Sequence, residues 1–177
     1  MHPGEANQAS CVPEGRVVKP LHFSALKWMA KSPAHYHHYL TAPFVATAAM
    51  RLGSLVHQAV LGGPAPLIFD GDRRGKTWAD FMAAPAATEI YTADEKAKAD
   101  EIAAAVLSTY PVSELLEDME KERTVDWFVA GRPCAGRIDA FNSTAVLDLK
   151  PTGCAEPGKF PWDAIRRGYL AQISWYG

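Results

Sequence analysis

Asp148 and Lys150 stand two residues apart in Ala145-Val146-Leu147-Asp148-Leu149-Lys150, an apolar stretch that reads as a strand. The period of two along a strand sends both side chains to one face. Asp139 lies near the end of the preceding stretch, Ala135 to Phe141, which reads as another strand, and the tight turn Asn142-Ser143 joins the two. The two carboxylates can therefore converge within metal-binding distance, with one lysine beside them. Carboxylate oxygens suit a hard cation such as magnesium, which keeps several waters and takes one or two carboxylates together with a substrate phosphate. A cation held there polarises a phosphate and lowers the pKa of a water, while a neighbouring ammonium stabilises developing negative charge or positions the nucleophile. The chemistry is phosphodiester hydrolysis. The same spacing also fits a solvated strand face with a weak surface pair. The apolar context favours chemistry, because a carboxylate inside Val146-Leu147-Asp148-Leu149 is costly to bury without a metal or a partner.

Other residues are placed by helical spacing. Ala48 to Leu61 reads as a helix that begins after Pro43 and stops at Gly62-Gly63. Leu52, Leu55, Val56, Ala59 and Val60 form its apolar stripe, so His57 projects from a buried edge, either as an ordinary packed histidine or as a ligand. Gln172 and Tyr176 are four apart on a helix expected over Trp162 to Tyr176 and share a face. His35, His37 and His38 are not followed by cysteines or histidines at finger spacing, so they read as surface or DNA-facing residues rather than a zinc site.

The elements that must carry these residues are mixed. Residues 1–19, broken by Pro3, Gly4, Pro13 and Gly15, read as a loose arm, and a single domain is expected over 20–177. Ser24 is expected to cap a short helix that stops near Ser32-Pro33. Leu67-Ile68-Phe69 reads as a short strand, followed by a charged loop from Asp70 to Lys76 that includes Arg73 and Arg74. Thr92-Ala93-Asp94-Glu95 is a capping-box pattern opening an Ala-rich helix to about Thr109, with a short helix from Val112 after Pro111. Thr124 to Val129 reads as the first of three successive strands, turning at Gly131-Arg132-Pro133. The three form a meander.

Composition bounds the function. The chain has 177 residues, 48% of them hydrophobic, enough for one core. A net charge of -2 and a pI near 6.3 exclude a surface coated in base but not a local basic groove. Three scattered cysteines fit a reducing compartment, no apolar leader opens the sequence, and no apolar run is long enough for a membrane span, so a cytoplasmic protein with no membrane partner is expected.

Taken in order, the stretches Phe23 to Lys27, Ser32 to Tyr36, Gly53 to His57, Gly131 to Asp139 and Leu147 to Lys150, followed by Gln172 and Tyr176, resemble the exodeoxyribonuclease VIII (RecE-like) branch of the PD-(D/E)XK nucleases. The resemblance covers about residue 20 to the end. It implies an α/β (α+β) fold with a restriction-endonuclease-like core, the meander flanked by helices and preceded by a helical part. It further implies that Asp139, Asp148 and Lys150 are catalytic, that His57, Asp139 and Asp148 hold magnesium with manganese able to substitute, and that Gln172 and Tyr176 support the active site or DNA. Glu122 aligns with an acidic position of these relatives, and Arg73, Arg74 and Lys76 with a basic segment that could meet phosphates or remain a solvated loop. Pro151 departs from the family's usual threonine. The family fold continues beyond the position of Tyr176, so the chain is expected to be C-terminally truncated. The iron–sulfur branch needs four cysteines, so no cluster is expected.

Two functions follow from this resemblance. One is a metal-dependent exonuclease of phage or prophage recombination or repair, acting on linear duplex ends, partnered by a single-strand annealing protein and by copies of itself. The other is a non-catalytic remnant that binds DNA or a partner.

Overall fold

The computed structural model describes residues 19–83 and 89–176. The arm expected over 1–19 lies, but for Lys19, outside these. The chain resolves into two compact units, one joining the chain up to Ala42 with Thr124–Arg137, the other joining Pro43–Arg123 with Ile138–Gly177.

The first unit holds helices α1 (Phe23–Met29) and α2 (Pro33–Thr41). The residue preceding α1 is His22, not the expected Ser24, and its side chain makes no capping bond. Ser32-Pro33, expected only as a stop, also starts α2: the Ser32 hydroxyl accepts from His35 N at 3.3 Å, and Pro33 occupies a first-turn position whose missing N–H costs nothing. Trp28 and Tyr39 stack across the two helices at 6.0 Å between centroids. Leu21 bridges Cys134 in parallel, with Leu21 N donating to Pro133 O at 2.8 Å.

The second unit is built around α3 (Ala48–Leu61) and α5 (Ala93–Leu107). Thr47 caps α3, and the helix buries Leu55, Val56, Val60 and Leu61. Ala99 and Ala103, one turn apart on α5, are both buried against this stripe, small enough for close approach. The expected capping box at Thr92 is present: Glu95 N donates to Thr92 Oγ1 and Thr92 N to a Glu95 oxygen. Arg51 on α3 binds both Glu95 oxygens, at 2.8 and 2.7 Å, and donates to Ile90 O. This pairing with Arg51 holds the Glu95 carboxyl down at about 2.

Strands β1 (Leu67–Ile68) and β2 (Ile90–Tyr91) pair in parallel, and α4 (Gly75–Met82) lies between them in sequence. Lys76 therefore stands on a helix rather than in the expected loop. After α6 (Val112–Glu117) come β3 (Glu120–Val129), β4 (Arg132–Phe141) and β5 (Val146–Leu147), in that order in one sheet. β3 begins earlier than expected, so Glu122 lies inside it. β5 pairs antiparallel with β4 for two residues only, and Asp148 and Lys150 follow the ladder instead of belonging to it. The single helix expected at the end is two, α7 (Phe160–Arg167) and α8 (Tyr169–Tyr176), broken at Gly168, whose φ of 76° suits glycine. Among the described residues, no helix is long and apolar enough to cross a membrane.

Leu55 is 1% exposed at the centre of the core cluster, so Leu55→Ala is expected to cost about 2 to 5 kcal/mol in urea unfolding, with an unchanged denaturant slope. For Glu95, the folded carboxyl lies below its ordinary value. Its stabilising pairing is complete above about pH 4.5 and is lost as pH falls towards about 2. Acid melts should show a smaller loss over that window for Glu95→Gln than for the wild type.

Candidate active site

The site lies within the second unit and rests on β4, which carries Asp139 between the buried Ile138 and Ala140. Asp139 is 7% exposed. Its Oδ2 accepts from Leu149 N at 2.7 Å. His57 reaches the same residue from α3, with Nε2 2.8 Å from Leu149 O. A carbonyl only accepts, so in this contact Nε2 carries a proton. Nδ1 lies 3.6 Å from Asp139 Oδ1 and 3.9 Å from Glu122 Oε1.

Glu122 reaches this place by an irregular backbone. Its φ is 55°, in the left-handed region that a non-glycine residue rarely adopts. The half-buried positions of β3 are Glu122, then Val125 and Trp127, so the alternation slips by one residue between Glu122 and Val125. The kink turns Glu122 inward beside His57. Such positions concentrate at functional sites.

Lys150 Nζ lies 2.6 Å from Asp148 Oδ2, and the Asp148 side chain is 4% exposed. Gln172, on α8, donates from Nε2 to Asp148 Oδ1 at 3.1 Å and to the Tyr176 hydroxyl at 3.2 Å. Burial raises the Asp148 carboxyl above the ordinary aspartate range, Lys150 opposes that shift, and the charge of Asp139 adds to it.

The sequence singled out His57, Asp139, Asp148, Lys150, Gln172 and Tyr176, and the fold brings all six to one place. Glu122 joins them. Arg73 and Arg74 are engaged elsewhere: Arg73 donates to Ile90 O and lies over Trp78, while Arg74 pairs with Asp72. Two contributors escaped the sequence reading. The Tyr169 ring lies beneath the Lys150 ammonium, 5.6 Å from Nζ to centroid; its signal was the three-residue spacing to Gln172 on one helix face. The other is the Leu149 backbone, whose side-chain identity carries no signal.

The donors fit a divalent metal. One ligand atom each from His57, Glu122 and Asp139 lies within 4.8 Å of the others. Carboxylates with one imidazole and no thiolate suit magnesium or manganese rather than a thiophilic ion. Burial makes the Asp148 carboxyl harder to ionise in the folded chain than in the unfolded one. The folded state then binds more protons than the unfolded one between the ordinary aspartate value and the raised one, so stability falls as pH rises through that window. In EDTA, Asp148→Asn should lose that pH dependence, so its melting temperature should gain on that of the wild type as pH rises through the window. A difference between the two that does not change with pH would contradict the assignment.

No curated protein matches the chain. The family described as a PDDEXK-like domain of unknown function (DUF3799) matches residues 22–177. That span includes every residue of the site, and it implies a nuclease-type function with DNA as the substrate. Divalent metals are the cofactors of PDDEXK-like nucleases, in keeping with the acidic and histidine cluster. The mixed α/β architecture with its three-stranded sheet is that of a PDDEXK-like fold, and the chain belongs to this PDDEXK-like family.

Proposed function

We propose that the protein is a magnesium-dependent deoxyribonuclease, an exonuclease of RecE-like type, with Asp139, Asp148 and Lys150 as its catalytic residues. The observation that carries this reading is the pairing of Lys150 with the buried Asp148 beside the cluster of His57, Glu122 and Asp139. Asp139, Asp148 and His57, with Glu122 beside them, would hold the metal. When bound, the metal would polarise the scissile phosphate and make water more acidic.

The chain's own groups supply the rest. Lys150 presents a fixed positive charge to a phosphate oxygen as negative charge builds there. The Tyr169 ring and the Asp148 carboxylate hold its ammonium from two sides, so little reorganises during the reaction. Gln172 occupies one oxygen of Asp148 and keeps the carboxylate from rotating, and Tyr176 in turn orients Gln172. In hydrolysis, water adds to phosphorus, one ester P–O bond breaks, and the departing oxygen gains a proton. The order of the motifs supports a role at linear duplex ends, resecting one strand ahead of an annealing protein in phage or prophage recombination or repair.

The test is nucleotide release from linear and circular duplex DNA with magnesium, with manganese and with EDTA. Release from linear DNA alone, stopped by EDTA, and a fall of about a hundredfold or more in Asp148→Ala and Lys150→Ala are expected. Magnesium should also raise the melting temperature of the wild type, and much less that of Asp139→Asn. A folded protein that cuts no DNA with either metal would overturn the nuclease reading.

A further inference from the structure

Charge is divided unequally between the two units. Among its described residues the first unit carries Lys19, Lys27, Lys31, Arg132 and Arg137 against one acidic residue, Asp126. The whole chain is at -2, so the acidic excess lies on the other unit, which also holds the carboxylates of the site. All five basic residues are exposed. Neither α1 nor α2 has an acidic residue in its first turn, and α2 adds the exposed His35, His37 and His38.

Two local contacts lie beside these charges. The parallel bridge joins Leu21 to Cys134, and Lys19 and Arg132 each stand two residues before it on their own chain segments. Lys27 and Lys31 are four apart along α1 and the turn that follows it. Lys31 holds its ammonium 4.2 Å from the centre of the Trp28 ring, which itself stacks on Tyr39. A lysine restrained in this way loses less side-chain freedom when it meets an anion.

We propose that the first unit is a DNA-holding surface that grips the phosphate backbone through Lys19, Lys31 and Arg132. The partner follows from charge complementarity: several exposed cations, with a single acid among the described residues of the unit, match a repeating phosphate chain better than a compact anion. The inference deepens the nuclease reading by giving the substrate a handhold apart from the catalytic groups, and it rests on that reading only for the choice of DNA over other polyanions.

Binding and cutting can be read separately. Fluorescence anisotropy of the full-length chain with labelled duplex and single-stranded DNA, in EDTA over a range of salt, reports binding without cleavage. For Lys19→Gln/Lys31→Gln/Arg132→Gln, affinity should fall at least about tenfold near 0.1 M salt, and the slope of log affinity against log salt should shrink by about two to three. Asp126→Asn should tighten binding, which keeps the test valid if the triple variant fails to fold. Hydrolysis of a small chromogenic phosphodiester with magnesium should be unchanged in the triple variant, since that substrate has no backbone to grip. An unchanged affinity and salt slope in the folded triple variant, or in its absence an Asp126→Asn variant that binds no tighter, would overturn the proposal. So would binding of the wild type to vesicles of anionic lipid as tight as to DNA, lost in the same variants. Loss of small-substrate hydrolysis in the wild type would instead count against the nuclease reading and leave the binding result standing.

Discussion

Both backbone groups of Leu149 are taken by side chains of the site, its N–H by Asp139 and its carbonyl by His57. The sheet ladder has already ended at Leu147, so no strand partner fixes this peptide. Two side chains do so instead, one from β4 and one from α3. Because Asp148 and Lys150 flank Leu149, fixing its peptide planes sets the directions of both. The catalytic spacing expected of a strand is thus kept where there is no strand, and it depends on the register of α3 against β4.

This arrangement gathers more negative charge than the fold would choose for stability. Asp139 and Asp148 are both withdrawn from water, and Glu122 sits in a backbone conformation that few residues accept. Burying a carboxylate is tolerable only with compensation. Lys150, Gln172 and the Leu149 N–H supply part of it. The remainder is what a divalent cation would relieve. Proteins commonly accept such local cost where charge must be kept ready for chemistry, and the apolar contact of α3 with α5 provides the stability that offsets it.

Much of this was legible in the sequence. The stripe of α3, the Thr92 capping box and the turn at Asn142 are local signals, set by residues a few positions apart, and they appear where periodicity places them. The convergence of Asp139, Asp148 and Lys150 was also legible, although through a strand longer than the real one. What escaped depends on distant partners or on two uses of one signal. Ser32-Pro33 ends one helical segment and starts another, and the two uses share one local signal. The slip at Glu122 leaves no mark in residue type, because its cause is a backbone angle. Gln172 and Tyr176 show their common face in the sequence, but the bond from Gln172 to Asp148 spans a loop and a helix break at Gly168 and cannot be inferred from spacing.

Glu95 serves two structures at once, closing the first turn of α5 and clamping Arg51 on α3. Arg51 lies on the helix that carries His57, and its guanidinium also covers the Tyr91 ring. Fraying at the start of α5 therefore cannot remain a private event of that helix: it releases a cation on α3 and uncovers the edge of the small parallel sheet. The opening of α5 and the loosening of the histidine's helix belong to one cooperative unit, and a terminus that would ordinarily be the loosest part of a helix becomes a fastening for the site.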